Sequence, residues 1–252
     1  MKVGDELQRA FEFLARGDMG GARREPTRFG TAVFDDRVPK AYDSNYLLVE
    51  SLPPGATAEE LAADAAGHRR QMIFVRDAEA AAALAPAFKA LGWRLDRHVF
   101  MAQHGPGSRS GPLDLVRELD AEALRSARRR LIAGYPWATP EVIDQLHRSK
   151  HLLPERVETH FFGVVVDGEV VSYADLYLDP PVAQIEDVGT LEEHRGKGYA
   201  SAVVVHAAEE ARRRGASLIF LVADAEDWPQ HLYRRLGFEP IGHYWKFLAP
   251  SA

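Results

Sequence analysis

No cysteine occurs among the 252 residues. That excludes disulfides, thiolate nucleophiles and cysteine metal sites together. No uninterrupted apolar run of about 18 residues is present, so no membrane partner is expected. The opening stretch MKVGDELQRAFEFL is acidic and amphipathic and lacks the apolar core of a signal peptide, which sets the expectation of a cytoplasmic protein. Positive charge is also short: 31 Lys and Arg face 37 Asp and Glu, for a net charge of −6. With no broad basic face, a nucleic-acid partner is not expected. The phosphate-loop pattern GxxxxGK[ST], the dinucleotide pattern GxGxxG and the zinc pattern HExxH are all missing. Arginine outnumbers lysine heavily and alanine is abundant, a composition that accompanies GC-rich bacterial genomes.

What is present divides at GPGSRSGP, residues 105–112. Glycine, proline and serine at this density end helices and strands, so the stretch reads as a linker between 1–104 and 113–252. Before it, the patterns predict helices near 4–16, 57–68 and 78–90, with Thr57 as an N-cap. Strands are predicted near 29–35, 45–50, 71–75 and 93–102. After it come a strand ending near 119 and a helix capped by Asp120. A second helix has Thr139 as cap and Pro140 at its first position, where the missing N–H costs nothing. A hairpin turns at Asp167–Gly168. A strand over 182–190, a helix over 198–214, a strand over 217–224, a helix capped by Asp227 and a strand over 238–248 complete the order. Strand, loop, helix, strand in the middle is a βαβ unit, so the fold class is α/β with a mixed sheet flanked by helices.

Residues 194–205, HRGKGYASAVVV, sit at a strand-to-helix junction. The first turn of a helix carries unpaired N–H groups and the positive end of the dipole. Glycines there let an anion approach bare backbone. Arg195 and Lys197 add formal charge, and Ala200 to Val205 anchor the same helix to the sheet. The spacing indicates an anion cradle without naming the anion; a tight turn with solvated basic residues has the same pattern.

The run Arg195-Gly196-Lys197-Gly198-Tyr199-Ala200 resembles the R/Q-x-x-G-x-G/A motif of the GCN5-related N-acetyltransferases. HLYRRLGFEPIGHYW, about 40 residues on, resembles that family's L-Y-x-x-x-G-F segment. The resemblance covers about 113–250. It implies acetyl-CoA as co-substrate, with its pyrophosphate on Arg195, Gly196, Lys197, Gly198, Tyr199 and Ala200. It also implies that a backbone N–H near Val188, Gly189 and Thr190 receives the thioester carbonyl. The implied activity is acetyl transfer to a primary amine of a small molecule or peptide by direct attack, with no metal. A CoA-binding sensor or scaffold without catalysis is the alternative, and homodimeric assembly stays open.

Amine acetylation needs a base, and Glu186 lies nine residues before Arg195, where some relatives carry one. Asp187 and water are the other candidates. Tyr233 matches the tyrosine that protonates the departing thiolate. Strict alternation along the strand would set Ile185 and Asp187 on one face, Glu186 and Val188 on the other. The family's asparagine at the start of the next helix is replaced by DAEDWPQ, which leaves pantetheine contacts of Asp224, Glu226 or Asp227 without a counterpart. His147 and His151 share a helix face at i, i+4 spacing, which suits a metal, yet the sequence offers no third ligand nearby. That helical region borders the family's acceptor site. Arg128–Arg130 and Arg212–Arg214 read as solvated helix faces.

An internal repeat is visible at a shift of 145 residues. Gly92-Trp93 falls on Gly237-Phe238 and His98-Val99-Phe100 on His243-Tyr244-Trp245. Residues 1–104 therefore read as a smaller, degenerate copy of the acetyltransferase fold. Where the cradle should be, this copy has SLPPGATAEE, with two prolines that cannot donate and two glutamates that repel phosphate. It is expected to support the second half or to wall its acceptor groove.

Overall fold

The computed structural model describes residues 3–17, 20, 23–68, 71–105, 107 and 110–250. Linker residues Pro106, Ser108 and Arg109 lie outside the described residues. In chain order the elements are α1 (Val3–Arg16), β1 (Arg23–Pro26), β2 (Thr31–Phe34), β3 (Tyr46–Val49), α2 (Ala58–Asp64), β4 (Met72–Val75), α3 (Ala78–Ala90) and β5 (Arg94–Gln103). Then come β6 (Val116–Leu119), α4 (Arg125–Ile132), α5 (Pro140–Leu152), β7 (Glu158–Val166), β8 (Glu169–Asp179) and β9 (Val182–Thr190). The chain closes with α6 (Tyr199–Arg213), β10 (Leu218–Asp224), α7 (Pro229–Arg235) and β11 (Phe238–Leu248). No described helix is long and apolar enough to cross a membrane.

Local chemistry explains most boundaries. The Thr57 side chain accepts from Glu60 N–H while the Glu60 carboxylate accepts from Thr57 N–H, a capping box that closes the start of α2. Thr139 accepts from Val142 N–H at the head of α5, with Pro140 at its first position. Asp167 and Gly168 both take positive φ, as a two-residue hairpin turn with this twist demands. Two starts differ from expectation. Asp120 does accept from Ala123 N–H at 2.8 Å, but it caps a turn, and α4 proper begins at Arg125. Asp227 accepts from Trp228 N–H at 2.7 Å, and α7 begins later, at Pro229. Strand β1 is an addition; its residues Arg-Arg-Glu-Pro are all exposed and carry no apolar pattern to read.

Among the described residues eleven strands form one sheet, in the order β1-β2-β3-β4-β11-β5-β10-β9-β8-β7-β6. The boundary at 105–112 divides the chain without dividing this sheet. Strand β5, from before it, lies between β10 and β11, from after it. Strand β11 in turn lies between β5 and β4. The topology repeats around this crossing. β2 and β3 run antiparallel and β3 and β4 parallel, with α2 as crossover. β8, β9 and β10 do the same with α6. Each half thus lends its last strand to the other.

Side-chain alternation along the central strands serves two layers. Phe74, Phe100, Ala102, Leu218, Phe220 and Tyr244 face α1, whose Ala10, Phe11, Phe13 and Leu14 are buried against them. Helix α1 therefore covers strands of both halves. On the opposite face, Val99, Met101, Ile219 and Leu221 pack under α6, and Leu47, Val49, Ile73 and Val75 pack beneath α2 and α3. Two described linker glycines, Gly107 and Gly111, lie close against the second half. A Cβ added to Gly111 would lie 2.3 Å from the Gly198 carbonyl oxygen. Arg212, expected in solvent, instead donates to Gly105 O at 2.6 Å and also binds Gln103 Oε1, pinning the end of β5 to α6.

Among the described residues β11 pairs with no strand of its own half. A fragment of 113–252 should therefore show no cooperative unfolding by circular dichroism in urea, and adding a 1–112 fragment should restore it. Cooperative, native-like unfolding of 113–252 alone would contradict this topology.

Candidate functional site

Strand β9 carries the site because its two neighbours treat it differently along its length. Its parallel ladder with β10 runs from Val182–Leu218 to Ile185–Leu221 and stops there. Beyond Ile185, residues Glu186 to Thr190 keep pairing with β8 but diverge from β10. The opening leaves the β10-facing backbone edge of Val188, Gly189 and Thr190 outside any ladder, available to a carbonyl oxygen. On the β8 side the register slips between Tyr173 and Asp175, at an Asp187 with φ of 53°.

That bulge overturns strict alternation. Glu186 and Asp187 were expected on opposite faces; both line the same cleft. Their situations differ. Asp187 Oδ2 accepts from Arg128 Nε at 2.9 Å and lies 3.5 Å from Lys150 Nζ. Glu186 Oε2 accepts from Gln184 Nε2 at 2.8 Å. Gly189 is held by its neighbours: an added Cβ would meet Leu131 of α4 and Tyr173 of β8 within 2.8 Å. Thr190 Oγ1 and Ser172 Oγ lie 2.9 Å apart and tie the end of β9 to β8.

The loop after β9 leads through Arg195, Gly196 and Lys197 into α6. Gly198 occupies the N-cap position of α6 with φ of 80°. No side chain among the described residues caps the first turn of that helix, which is flanked by Arg195, Gly196 and Lys197 and begins with Tyr199 and Ala200. The structure brings these residues together with Val188–Thr190 at one edge of the opening between β9 and β10. Across it, α7 carries Tyr233, whose ring is buried. Burial, and secondarily the negative charge of Glu186, push the Tyr233 hydroxyl pKa well above its usual value near 10. The hydroxyl therefore keeps its proton throughout the physiological range.

Beside this opening lies a cleft of about 170 Å³. Its floor is β8 and β9, with Tyr173, Glu186 and Asp187; α4 and α5 form its sides. The remaining wall comes from the N-terminal half, through Ala41, Asp43 and Ser44. Sequence spacing gave no sign of these three. Segment 35–45 is stiffened by Asn45, which donates to Val38 O and Ala41 O at 2.9 Å and accepts from Asp35 N–H. It is clamped to the second half by ions. Fully buried Asp35 holds Arg37 at 2.9 Å and also pairs with Arg156. Lys40 N–H donates to Gln145 of α5 at 2.6 Å.

Arg128 is the main correction to the sequence reading. Far from a solvated face, it is buried beneath the cleft. Its guanidinium pairs with Asp187 and with Asp175, which is fully buried. Lys150 Nζ completes the network, 3.2 Å from Asp175 and donating to Tyr177 Oη at 2.9 Å. Arg129 and Arg130 are exposed as expected. His147 and His151 sit together on α5, and a third group, Glu122, reaches them from the turn before α4. Burial lowers the pKa of His147, against the opposing pull of the Glu122 carboxylate.

Residues 116–238 match the family model described as Acetyltransferase (GNAT) family. A curated relative, streptothricin acetyltransferase of Streptomyces lavendulae, is 36% identical over 85 residues, which span 32% of this chain and 45% of the relative. The chain thus matches less than half the length of that relative. A GCN5-related N-acetyltransferase from Kribbella flavida has a TM-score of 0.62 at 21% identity, covering 99% of this chain and 96% of its own. A tandem GNAT protein from the clavulanic acid biosynthesis pathway has a TM-score of 0.56 at 17% identity, covering 88% of this chain and 79% of its own. These two likenesses are of fold.

Removing Arg128 leaves the Asp175 carboxylate without its closest countercharge in a buried site. Arg128→Ala should cost about 3 kcal/mol in urea unfolding, whereas Arg16→Ala, which breaks an exposed pair with Asp179, should cost less than about 1 kcal/mol. Equal effects of the two substitutions would show that the Arg128 network is not a buried one.

Proposed function

We propose, on the match of residues 116–238 to the Acetyltransferase (GNAT) family model, that the protein is an acetyl-CoA-dependent N-acetyltransferase acting on a primary amine by direct attack in a ternary complex. The observation that carries this reading is the opening of β9 from β10 beside the uncapped start of α6. An open helix N-terminus with Arg195 and Lys197 suits a pyrophosphate, and glycines at 196 and 198 let it approach the backbone. The opening suits a thioester arm running toward the cleft. In that arrangement the cleft is the acceptor site, and the name of the curated relative makes streptothricin the first acceptor to assay.

The chemistry follows from what each residue can do. A free alkyl ammonium has a pKa of about 10 and carries no lone pair to attack with. Glu186 takes its proton, directly or through water. Asp187 is the weaker candidate, since Arg128 and Lys150 already stabilise its charge. The amine nitrogen then bonds to the thioester carbonyl carbon. The oxygen, now an anion, accepts from backbone N–H in Val188–Thr190. The C–S bond breaks, and the departing thiolate takes the Tyr233 hydroxyl proton. As the amide forms the nitrogen gives up its second proton, which restores the Tyr233 hydroxyl, and Glu186 returns its proton to solvent, so ammonium and thioester yield amide, free thiol and one proton.

The N-terminal half supports the site without duplicating it. Its counterpart strands stay paired to the end: Leu47–Ile73, Leu48–Phe74 and Val49–Val75 are in register, and Arg76 N–H donates to Val49 O at 3.0 Å. No opening forms between β3 and β4. The capping box occupies the N–H groups of Thr57 and Glu60, and the carboxylates of Glu59 and Glu60 in the first turn repel an anion. The half instead supplies the wall at Ala41, Asp43 and Ser44.

Tyr233→Phe should lower kcat by about 10- to 100-fold with little change in acetyl-CoA affinity. With wild type, the raised hydroxyl pKa should leave the rate without an alkaline fall up to about pH 10. Full activity of the phenylalanine variant with chemistry rate-limiting would remove Tyr233 from the reaction. Titration calorimetry should give one acetyl-CoA per chain, weakened at least about tenfold by the exposed change Lys197→Glu. Two equivalent sites would overturn the reading of the N-terminal half.

A further inference from the structure

Three electron-pair donors from two separate elements converge at the rim of the cleft. His147 and His151 stand one turn apart on α5, so both rings project from the same face. Glu122 comes from the turn preceding α4. His147 Nε2 lies 2.9 Å from Glu122 Oε2 and 3.1 Å from His151 Nε2, and His151 Nε2 lies 3.8 Å from the same carboxylate oxygen. An ion held about 2.0–2.1 Å from each of three donors in tetrahedral geometry sets them about 3.3 Å apart. The observed triangle brackets that value. No large movement of α4 against α5 is needed to admit an ion.

We propose that Glu122, His147 and His151 form a binding site for a divalent transition-metal ion of the zinc class. Two imidazoles and one carboxylate are a donor set suited to zinc and its first-row neighbours and unlike the all-oxygen sets of calcium and magnesium. The carboxylate is positioned from outside: Arg125 Nη1 lies 3.3 Å from Glu122 Oε1, which leaves Oε2 to the histidines, and Arg125 Nη2 also reaches Asp144 on α5. Three protein donors leave a fourth position, and Glu122 and His151 are each about half exposed, so that position is open to water. His147 lines the cleft, which places the ion at the cleft's edge. The site is independent of the acetyl-transfer reading, since neither Glu186 nor Tyr233 belongs to it.

Two comparisons within the molecule sharpen the assignment. His160 also meets two carboxylates, Glu118 at 2.6 Å and Glu158 at 2.9 Å, but through opposite ring nitrogens, so its partners cannot converge on one ion. The Nδ1 of His147 is buried and has no hydrogen-bond partner among the described residues. Most metal-bound imidazoles donate from that second nitrogen. Its lack of an acceptor places the expected affinity in the micromolar range, weaker than that of a structural zinc site.

The test uses the full-length, tag-free protein stripped with chelator, titrated with Zn²⁺ by calorimetry and with Co²⁺ by visible absorption. Wild type should bind one Zn²⁺ per chain, show the absorption of cobalt held by nitrogen and oxygen donors, and melt at a higher temperature with zinc than without. His151→Ala and Glu122→Gln should each weaken zinc by about 10- to 100-fold while the metal-free melting temperature stays near that of wild type. Both side chains are largely exposed, so these variants are expected to fold. Absence of saturable zinc binding up to about 1 mM would overturn the proposal. So would binding of wild-type strength in both variants, which would place the ion elsewhere.

Discussion

The antiparallel ladder between β5 and β11 is the constraint on which the rest depends. It runs nearly the length of both strands, from Arg94–Leu248 to Gln103–Phe238. Because each strand belongs to the opposite half of the chain from its outer neighbour, the ladder fuses two topologically equivalent units into one sheet. Helix α1 then covers the fused centre on one face, where Phe11, Phe100 and Tyr244 pack edge to face and tilted at 4.6–6.2 Å. Apolar burial on this scale is the main stabilising contribution in any such core. Here it stabilises the relative placement of the halves, and that placement brings segment 35–45 against α5.

The two halves then differ at the one place where difference matters. In both, a strand pairs antiparallel with its predecessor and parallel with its successor. Beyond Ile185 the second half breaks the parallel ladder and bulges at Asp187; the first half continues its ladder to Arg76. An opening costs backbone hydrogen bonds, and buried polar groups without partners are expensive. The second half offsets that cost near the bulge with the Arg128, Asp175, Asp187 and Lys150 network and with the Ser172–Thr190 contact.

Much of this was legible in the sequence for local reasons. The hairpin at Asp167–Gly168, the caps at Thr57 and Thr139, the extent of β9 and the glycine-rich turn into α6 follow from residue preferences within a few positions. The repeat at a shift of 145 was legible because Gly92-Trp93 and Gly237-Phe238 both follow a short helix and lead into equivalent strands. The exchange of those strands was not, because sequence order says nothing about which of two similar edges a strand will join. Arg128 could not be told from Arg129 and Arg130, since three adjacent arginines point in three directions and only one meets Asp175. Glu122 escaped notice as a partner of His147 because the two are separated by a helix. The wall from Asp43 required knowing the relation of the halves.

In the proposed function, the second half alone opens to receive acetyl-CoA. Amide hydrogen exchange with and without acetyl-CoA tests it most directly, because it reads each stretch of backbone separately. Slowed exchange at 195–200 and at 186–190, with 51–60 unchanged, is the predicted result. Slowed exchange at 51–60, or none at 195–200 under saturating acetyl-CoA, would contradict it.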